Sequence, residues 1–259
     1  MGLAKIEISI ITCIYNEAAN IERFLIGINN FVAQIETGTI KELIIVDDGS
    51  TDGSLEIIER FTENNIELPI KLIKRDTKLG LVNAQLNGMK YSLSDSILFM
   101  DGDLQHPVEK IRDLIETFDS GFDLVIASRH VKGGGNNWSP LRGIISRSAI
   151  ILSKLLLKKS RKVKDPLSGF FVIKKKYLLN LEPHPNFQKL LLYSLVLNEI
   201  KRLKEIPFVI IDREIGKSKI VDKHFNFIIK YVVEILTYKK LDVKSKRRER
   251  VPVFENFTD

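Results

Sequence analysis

Five short apolar runs separated by four stretches of helical periodicity occupy the first half of this chain. The runs are Ile6–Ile14, Leu43–Val46, Ile70–Ile73, Ile97–Met100 and Leu124–Ala127. Each is almost uninterrupted, as expected of strands covered on both faces. Between the first two, Ile21, Phe24, Leu25, Ile28 and Phe31 recur at helical spacing over Glu17–Phe31. Asp52 or Ser54 can cap a helix through Leu55, Ile58 and Phe61. Gly80–Tyr91 reads as a third helix, and Pro107 suits the first turn of a fourth that runs to Phe118. Strands alternating with helices imply right-handed crossovers and an α/β fold with a mostly parallel sheet flanked by helices. Ligands of such sheets bind beyond the carboxyl ends of the strands. Those ends carry Tyr15-Asn16-Glu17, Asp47-Asp48 and Asp101-Gly102-Asp103, so polar and acidic residues gather where a ligand would sit.

The second half has another character. Gly133–Asn137 is a loop, and Ile144–Leu157 is apolar with Arg147, Lys154 and Lys158 along one side. Asp165-Pro166-Leu167-Ser168-Gly169 is a turn before the short apolar segment Phe170–Ile173. Phe187–Leu203 reads as a helix, Phe208–Ile211 as a strand, and Phe225–Tyr238 as a helix with a narrow polar stripe of Asn226, Lys230 and Glu234. The charge is divided along the chain. The net charge is +7, but Arg129–Lys164 alone carries ten Lys/Arg and no acid, and Lys239–Arg250 carries a further +5. The remainder is therefore −8. A basic balance suggests an anionic partner: nucleic acid, a membrane surface or a phosphorylated ligand. The basic segments lack the interleaved aromatics of single-strand binders, so nucleic acid is not the expected partner. A single cysteine, Cys13, excludes an internal disulfide and a multi-cysteine metal site. No run approaches the roughly 18 apolar residues of a spanning helix, and the N-terminal run, interrupted by Lys5 and Glu7, is not a signal peptide.

The strongest local signal is Met100-Asp101-Gly102-Asp103-Leu104-Gln105-His106-Pro107. Two carboxylates two residues apart can converge on a hard cation, Gln105 adds an oxygen, and Gly102 permits close backbone approach. Mg²⁺ or Mn²⁺ held in this way can neutralise a diphosphate. An isolated Asp-x-Asp is more often a solvated turn; its place after the fourth strand, beside two other acidic strand ends, reverses that weighting. Asp47–Asp52 is read evenly as an Asx turn with a helix cap or as a set of acceptors for base or ribose groups. Arg129, Arg142, Arg147, Arg213, Lys217 and Lys219 offer phosphate-binding capacity. The four histidines have no metal-ligand spacing, and His106 reads as a turn residue.

In order along the chain, Ile-Tyr-Asn-Glu (14–17), Asp-Asp-Gly-Ser (47–50), Lys-Leu-Gly-Leu (78–81), the 100–107 segment, Ala-Ser-Arg (127–129), Asp-Pro-Leu-Ser-Gly-Phe-Phe (165–171) and Arg-Glu-Ile-Gly-Lys-Ser-Lys (213–219) resemble family 2 glycosyltransferases of the GT-A, Rossmann-like fold. The branch most similar is dolichyl-phosphate (polyprenyl-phosphate) mannosyltransferase. Three positions depart from that pattern: Cys13 and Ile14 stand where the family has Pro-Thr, and Gly102 stands where it often has Ala, a change read as conservative. The resemblance implies a catalytic domain over 1–220, with an acceptor loop and amphipathic helix at 129–164, and a C-terminal helix and basic tail at 221–259. It implies that Tyr15, Glu17, Asp47, Asp48, Lys78 and Gly80 surround the donor nucleoside. Asp101, Asp103 and Gln105 would hold Mg²⁺ or Mn²⁺ against the diphosphate, with Gly102 alongside and Arg213 and Lys219 reaching it from a late loop. Arg129, Arg142 and Ser146 would bind the acceptor phosphate; Asp101, Asp103, Arg129 and Arg213 form the implied catalytic set. The implied activity is inverting, metal-dependent transfer of a sugar, mannose from GDP-mannose above all, to dolichyl or polyprenyl phosphate; UDP-glucose or UDP-GlcNAc is the alternative donor. Asp165 is expected to organise the acceptor loop, with a direct base as the alternative. The implied setting is the cytoplasmic face of a membrane, with the chain held peripherally on an anionic surface, and a small membrane-protein partner is part of that expectation. Ile144, Ile145, Ala149, Leu152, Leu155 and Leu156 would form the lipid-facing side of an interfacial helix.

Overall fold

The computed structural model describes residues 6–36, 39–64, 68–184, 187–211 and 230–241. The alternating first half folds as β1 (Ile8–Ile14), α1 (Ala18–Val32), β2 (Ile40–Asp47), α2 (Ser54–Asn64), β3 (Ile70–Lys74), α3 (Leu81–Lys90), β4 (Ser96–Phe99), α4 (Lys110–Asp119) and β5 (Leu124–Ser128). Then follow β6 (Gly135–Asn136), α5 (Pro140–Leu156), β7 (Phe171–Lys174), α6 (Leu190–Leu197), β8 (Leu203–Pro207) and β9 (Val209–Ile210). A last helix, α7, spans 230–241.

The main sheet has seven strands in the order β3-β2-β1-β4-β7-β5-β8. All pairings are parallel except those of β7, which runs antiparallel between β4 and β5. The chain builds outward from β1 through β2 to β3 and then returns to place β4 on the other side of β1. That reversal is a topological switch point, where helices leave in opposite directions and a crevice opens above the strand ends. Registers bring the ends level: Ile14 pairs with Asp47, and Ile11 with Phe99. The turns after β1, β2 and β4 therefore open onto the same edge.

Buried residues fall into two clusters, one on each sheet face. One gathers α1, α2 and α4 against Ile8, Ile10, Leu43, Ile45 and Leu98; the other gathers α3, α5, α6 and α7 against Ile11, Ile44, Val46, Ile97 and Phe99. Alternate side chains of a strand point to opposite faces, so strands covered on both sides must be apolar throughout. Close packing of α3 depends on Gly88, where a Cβ would lie 2.9 Å from Ile11 Cγ2 and 3.0 Å from Val46 Cγ2.

Three expectations are corrected. The helix expected over Phe187–Leu203 is only Leu190–Leu197, and a strand, β8, begins at Leu203. β8 sits at the sheet edge with intermediate and exposed side chains, so its sequence, Leu-Lys-Glu-Ile-Pro, lacks the buried-strand signature. The apolar residues of α5 do not form one face. Ile150 and Ser153 are buried and Ala149, Leu152 and Leu156 pack against the core, while Ile144, Ile151 and Leu155 point outward. Glu234, expected in the narrow polar stripe of this last helix, α7, is fully buried, with Tyr231, Ile235 and Tyr238 beside it in the core.

Candidate active site

The turns after β1 and β2 lock each other. Asn16 adopts φ 54°, its N–H donates to Ser50 Oγ (2.8 Å), and its Oδ1 accepts from Thr51 N (2.9 Å). Glu17 N donates to Ser54 Oγ (3.0 Å), while Asp52 accepts from Ala18 N (2.9 Å) through one oxygen and from Ser54 N through the other. One carboxylate thus caps α1 and holds the entry to α2, and its pKa lies below the ordinary value: burial pushes it up, but the Ser54 and Ala18 hydrogen bonds outweigh that.

Above this scaffold lies a cavity of about 1010 Å³. On its β1–β2 side stand Tyr15, Glu17, Asp48, Lys78 and Gly80. Lys78 Nζ sits 3.4 Å from the centre of the Tyr15 ring, a cation–π contact that fixes both. Asp48 accepts from Leu79 N (3.0 Å) and Gly80 N (3.1 Å) and pairs with Arg75 at 3.1 Å, so it shapes the loop that presents Lys78. Asp47 does not line the cavity. It is buried, and its Oδ2 accepts from Gly49 N and Ser50 N in an Asx turn. Cys13 lines the floor as a neutral thiol, its pKa raised by burial and then by Asp101.

At the switch point, Asp101, Gly102, Asp103 and Gln105 face the same cavity. Asp101 is the open carboxylate, 41% exposed, whereas Asp103 is buried and its Oδ1 accepts from Gln105 N at 3.1 Å. Leu104 turns the chain at φ 64°. His106 pins the turn: its Nδ1 accepts from Asp101 N (2.9 Å), and its ring stacks on Phe170 and meets the edge of Phe208. Burial lowers the His106 pKa, and the neutral ring is the form that can accept at Nδ1. At Gly102 a Cβ would approach Ile14 Cγ2 and Thr12 Oγ1 at 3.1 Å. An alanine there needs its neighbours to move, so the exchange is less conservative than the sequence suggests.

The donor set at this turn is all oxygen, two carboxylates and a carboxamide, which suits Mg²⁺ or Mn²⁺ rather than a soft metal. Among the described residues, no group of three or more His, Cys, Asp or Glu is placed to hold a metal ion.

The opposite wall is cationic. Arg129 leaves β5 and donates from Nε and Nη2 to the two oxygens of Asp165, both at 2.8 Å, with its backbone N–H adding a third bond at 3.1 Å. Asp165 is fully buried and is in turn positioned by Glu205, which accepts from Lys164 N and Asp165 N. Both carboxylate oxygens of Asp165 are engaged, the arrangement of an organiser rather than a base. Arg129 and Arg142 both lie against Trp138, at 5.0 and 4.2 Å from its ring. Arg142 lines the cavity from the first turn of α5; Ser146, one turn further, does not. Arg213, Lys217 and Lys219 lie outside the described residues.

Sequence reasoning missed Trp138, Gln188, Lys189 and Lys230, all of which line the cavity. Trp138 had a faint signal: it is the only tryptophan, set between two arginines in a Gly/Asn loop. Lys189 precedes a helix that is apolar but for Tyr193 and Ser194 and had none.

The family model described as "Glycosyl transferase family 2" matches residues 9–181. The chain is 34% identical to a dolichol-phosphate mannosyltransferase of Pyrococcus furiosus over 90% of its own length, spanning 64% of that protein. It is 33% identical to the Saccharomyces cerevisiae dolichol-phosphate mannosyltransferase, over 89% of this chain and 86% of that protein. Among solved structures it superposes on glucosyl-3-phosphoglycerate synthase from Mycobacterium tuberculosis, crystallised with Mn²⁺, UDP-glucose and phosphoglyceric acid. The TM-score is 0.67 at 18% identity, over 92% of this chain and 81% of that one. The acidic turn at the switch point, the sheet that presents it and these matches lead to one assignment: the chain belongs to glycosyl transferase family 2.

Proposed function

We propose that the protein transfers mannose from GDP-mannose to dolichyl or polyprenyl phosphate, with inversion at C1. The observation that carries this reading is the cavity's division into two walls. An acidic turn able to bind a metal-bound diphosphate faces a pair of arginines able to bind a second phosphate. The relatives' names supply the acceptor class and the sugar.

A phosphate monoester is already anionic near neutral pH, so one of its oxygens attacks C1 without a general base. The O–C1 bond forms as the bond from C1 to the diphosphate oxygen breaks, nucleoside diphosphate departs, and an α-linked donor gives a β-linked lipid phosphate. Catalysis then reduces to in-line positioning and charge stabilisation. Tyr15, Glu17 and the Asp48-held Lys78 loop would seat the nucleoside, and Arg129 and Arg142 would orient the incoming phosphate. Asp101, Asp103 and Gln105 would hold Mg²⁺ or Mn²⁺, whose charge eases departure of the diphosphate. Arg213 and Lys219 would complete the diphosphate site.

The lipid acceptor accounts for α5. Ile144, Ile151 and Leu155 form an exposed apolar stripe flanked by Arg147, Lys154 and Lys158, the pattern of a helix lying in an anionic interface. Val233 and Leu236 of α7 are exposed too, and α7 meets α5 through Tyr231 Oη and Ala149 O. No described helix is long and apolar enough to cross a membrane. The exposed stripe of α5 and its basic flanks support a peripheral placement on the cytoplasmic face.

A donor screen with a short polyprenyl phosphate tests the reading. Labelled GDP-mannose should give a β-linked lipid product in a metal-dependent manner. Transfer from UDP-glucose or UDP-GlcNAc alone would overturn the mannosyl assignment.

A further inference from the structure

We propose that Lys189 is a third cation for the acceptor phosphate, beside Arg129 and Arg142, and that Glu234 on α7 positions it; this rests on the reading above. Lys189 lines the cavity together with Arg129, Arg142 and Asp101. Its backbone is fixed from α7 on both sides. Glu234 Oε1 accepts from Gln188 N (2.8 Å) and Lys189 N (3.0 Å), and Tyr238 Oη donates to that same oxygen at 2.6 Å. Tyr238 Oη also lies 3.3 Å from Lys189 O. One buried carboxylate thus gathers three donors, and two of them are the peptide groups that aim residues 188 and 189 at the cavity. Two hydroxyl or amide bonds would suffice to hold a loop; a buried carboxylate with its second oxygen unpartnered is a costly way to do it unless the position matters.

The charges point the same way. Burial disfavours the Lys189 ammonium, and the Arg129 guanidinium adds to that more than any acidic neighbour relieves it. None of the ion pairs among the described residues includes Lys189. Arg129 is already committed to Asp165 through two N–H groups. Two neighbouring cations in a partly dehydrated cavity become favourable when an anion lies between them, and phosphate accepts from Arg and Lys together. The donor diphosphate shares this chemistry, but Asp101 and Asp103 stand on its wall, whereas the strongest charged neighbour of Lys189 is Arg129 on the acceptor wall.

The test is steady-state kinetics of the full chain with a short polyprenyl phosphate and GDP-mannose. Lys189→Ala should raise the acceptor KM by about tenfold or more, the loss of one charge-assisted hydrogen bond, with the donor KM within about twofold. Lys189→Arg should recover most of the loss. Glu234→Gln keeps the accepting oxygen and should stay near the parent, while Glu234→Ala should raise the acceptor KM in the same direction. Quenching of Trp138, the only tryptophan, gives a binding readout independent of turnover. Titration with the polyprenyl phosphate should show weaker binding to Lys189→Ala. An unchanged acceptor KM and quench, or a rise confined to the donor KM, overturns the proposal. Failure of the parent to use any polyprenyl phosphate would instead overturn the functional reading.

Discussion

Arg129 gives Asp165 two guanidinium bonds and a backbone bond while its side chain is only 9% exposed, so the pair is locked out of water. Burial alone would push the Asp165 pKa up. The hydrogen bonds and charge of Arg129 more than offset it and leave the carboxyl below its ordinary value of 3.8. A carboxylate shifted in that direction contributes stability that is full above the ordinary value and fades as pH falls through the folded value. Asp165→Asn leaves a buried guanidinium without its counter-charge. It should cost about 3 kcal/mol, a fall of roughly 6–12 °C in Tm, and should flatten the acid limb of the stability profile. A variant that melts like the parent at pH 7 would show that Arg129 has another anion. In the proposed reaction Arg129 and Arg142 would set the acceptor geometry together, because Trp138 braces both. Arg142→Ala should therefore raise the acceptor KM with little change in donor KM.

At the scale of elements, α5 carries two apolar faces, one in the core and one exposed. Ile150 is buried in the core, whereas Ile151 is 58% exposed. Ile150→Ala should cost about 3 kcal/mol, the ordinary result of emptying a core site. Ile151→Glu should leave Tm within about 2 °C, as for surface sites generally, yet reduce flotation with anionic vesicles severalfold. Equal vesicle binding by Ile151→Glu and parent would remove α5 from the interface. Sequence periodicity marks α5 as amphipathic but does not tell a core face from a lipid face, since both select Ile and Leu. The same limit explains what else was legible. β1, β2, β4 and β5 read clearly because parallel strands buried on both sides must be apolar throughout, and the acidic ends of β1, β2 and β4 then fall at one edge by topology alone. β8 did not, because an edge strand tolerates Lys204 and Glu205. Glu234 read as part of a narrow polar stripe because only tertiary packing shows that three donors wait for it inside.

At the scale of the whole molecule, the cavity joins parts of the chain that no single element connects. Its acidic wall comes from the β1–β4 switch point, and its cationic wall from the segment 129–142 with residues 188, 189 and 230. The basic segment from Arg129 to Lys164 supplies the arginines of the cationic wall, while Lys189 and Lys230 reach that wall from outside it. In the proposed function, two carboxylates and a carboxamide would leave a divalent ion dependent on phosphate oxygens, so metal and nucleotide should bind cooperatively and stabilise the fold as one ligand. Mg²⁺ or Mn²⁺ alone should shift Tm by less than about 1 °C. GDP with metal at roughly 100 times Kd should add about 2.7 kcal/mol, equivalent to roughly 5–10 °C for a chain of this size. Asp103→Ala also loses the bond to Gln105 N, so its baseline Tm should fall slightly, and the shift must be read from that baseline. In this variant the metal-dependent part of the shift should vanish along with transfer. A full shift with GDP in the presence of a chelator would separate nucleotide binding from the acidic turn and place the metal elsewhere.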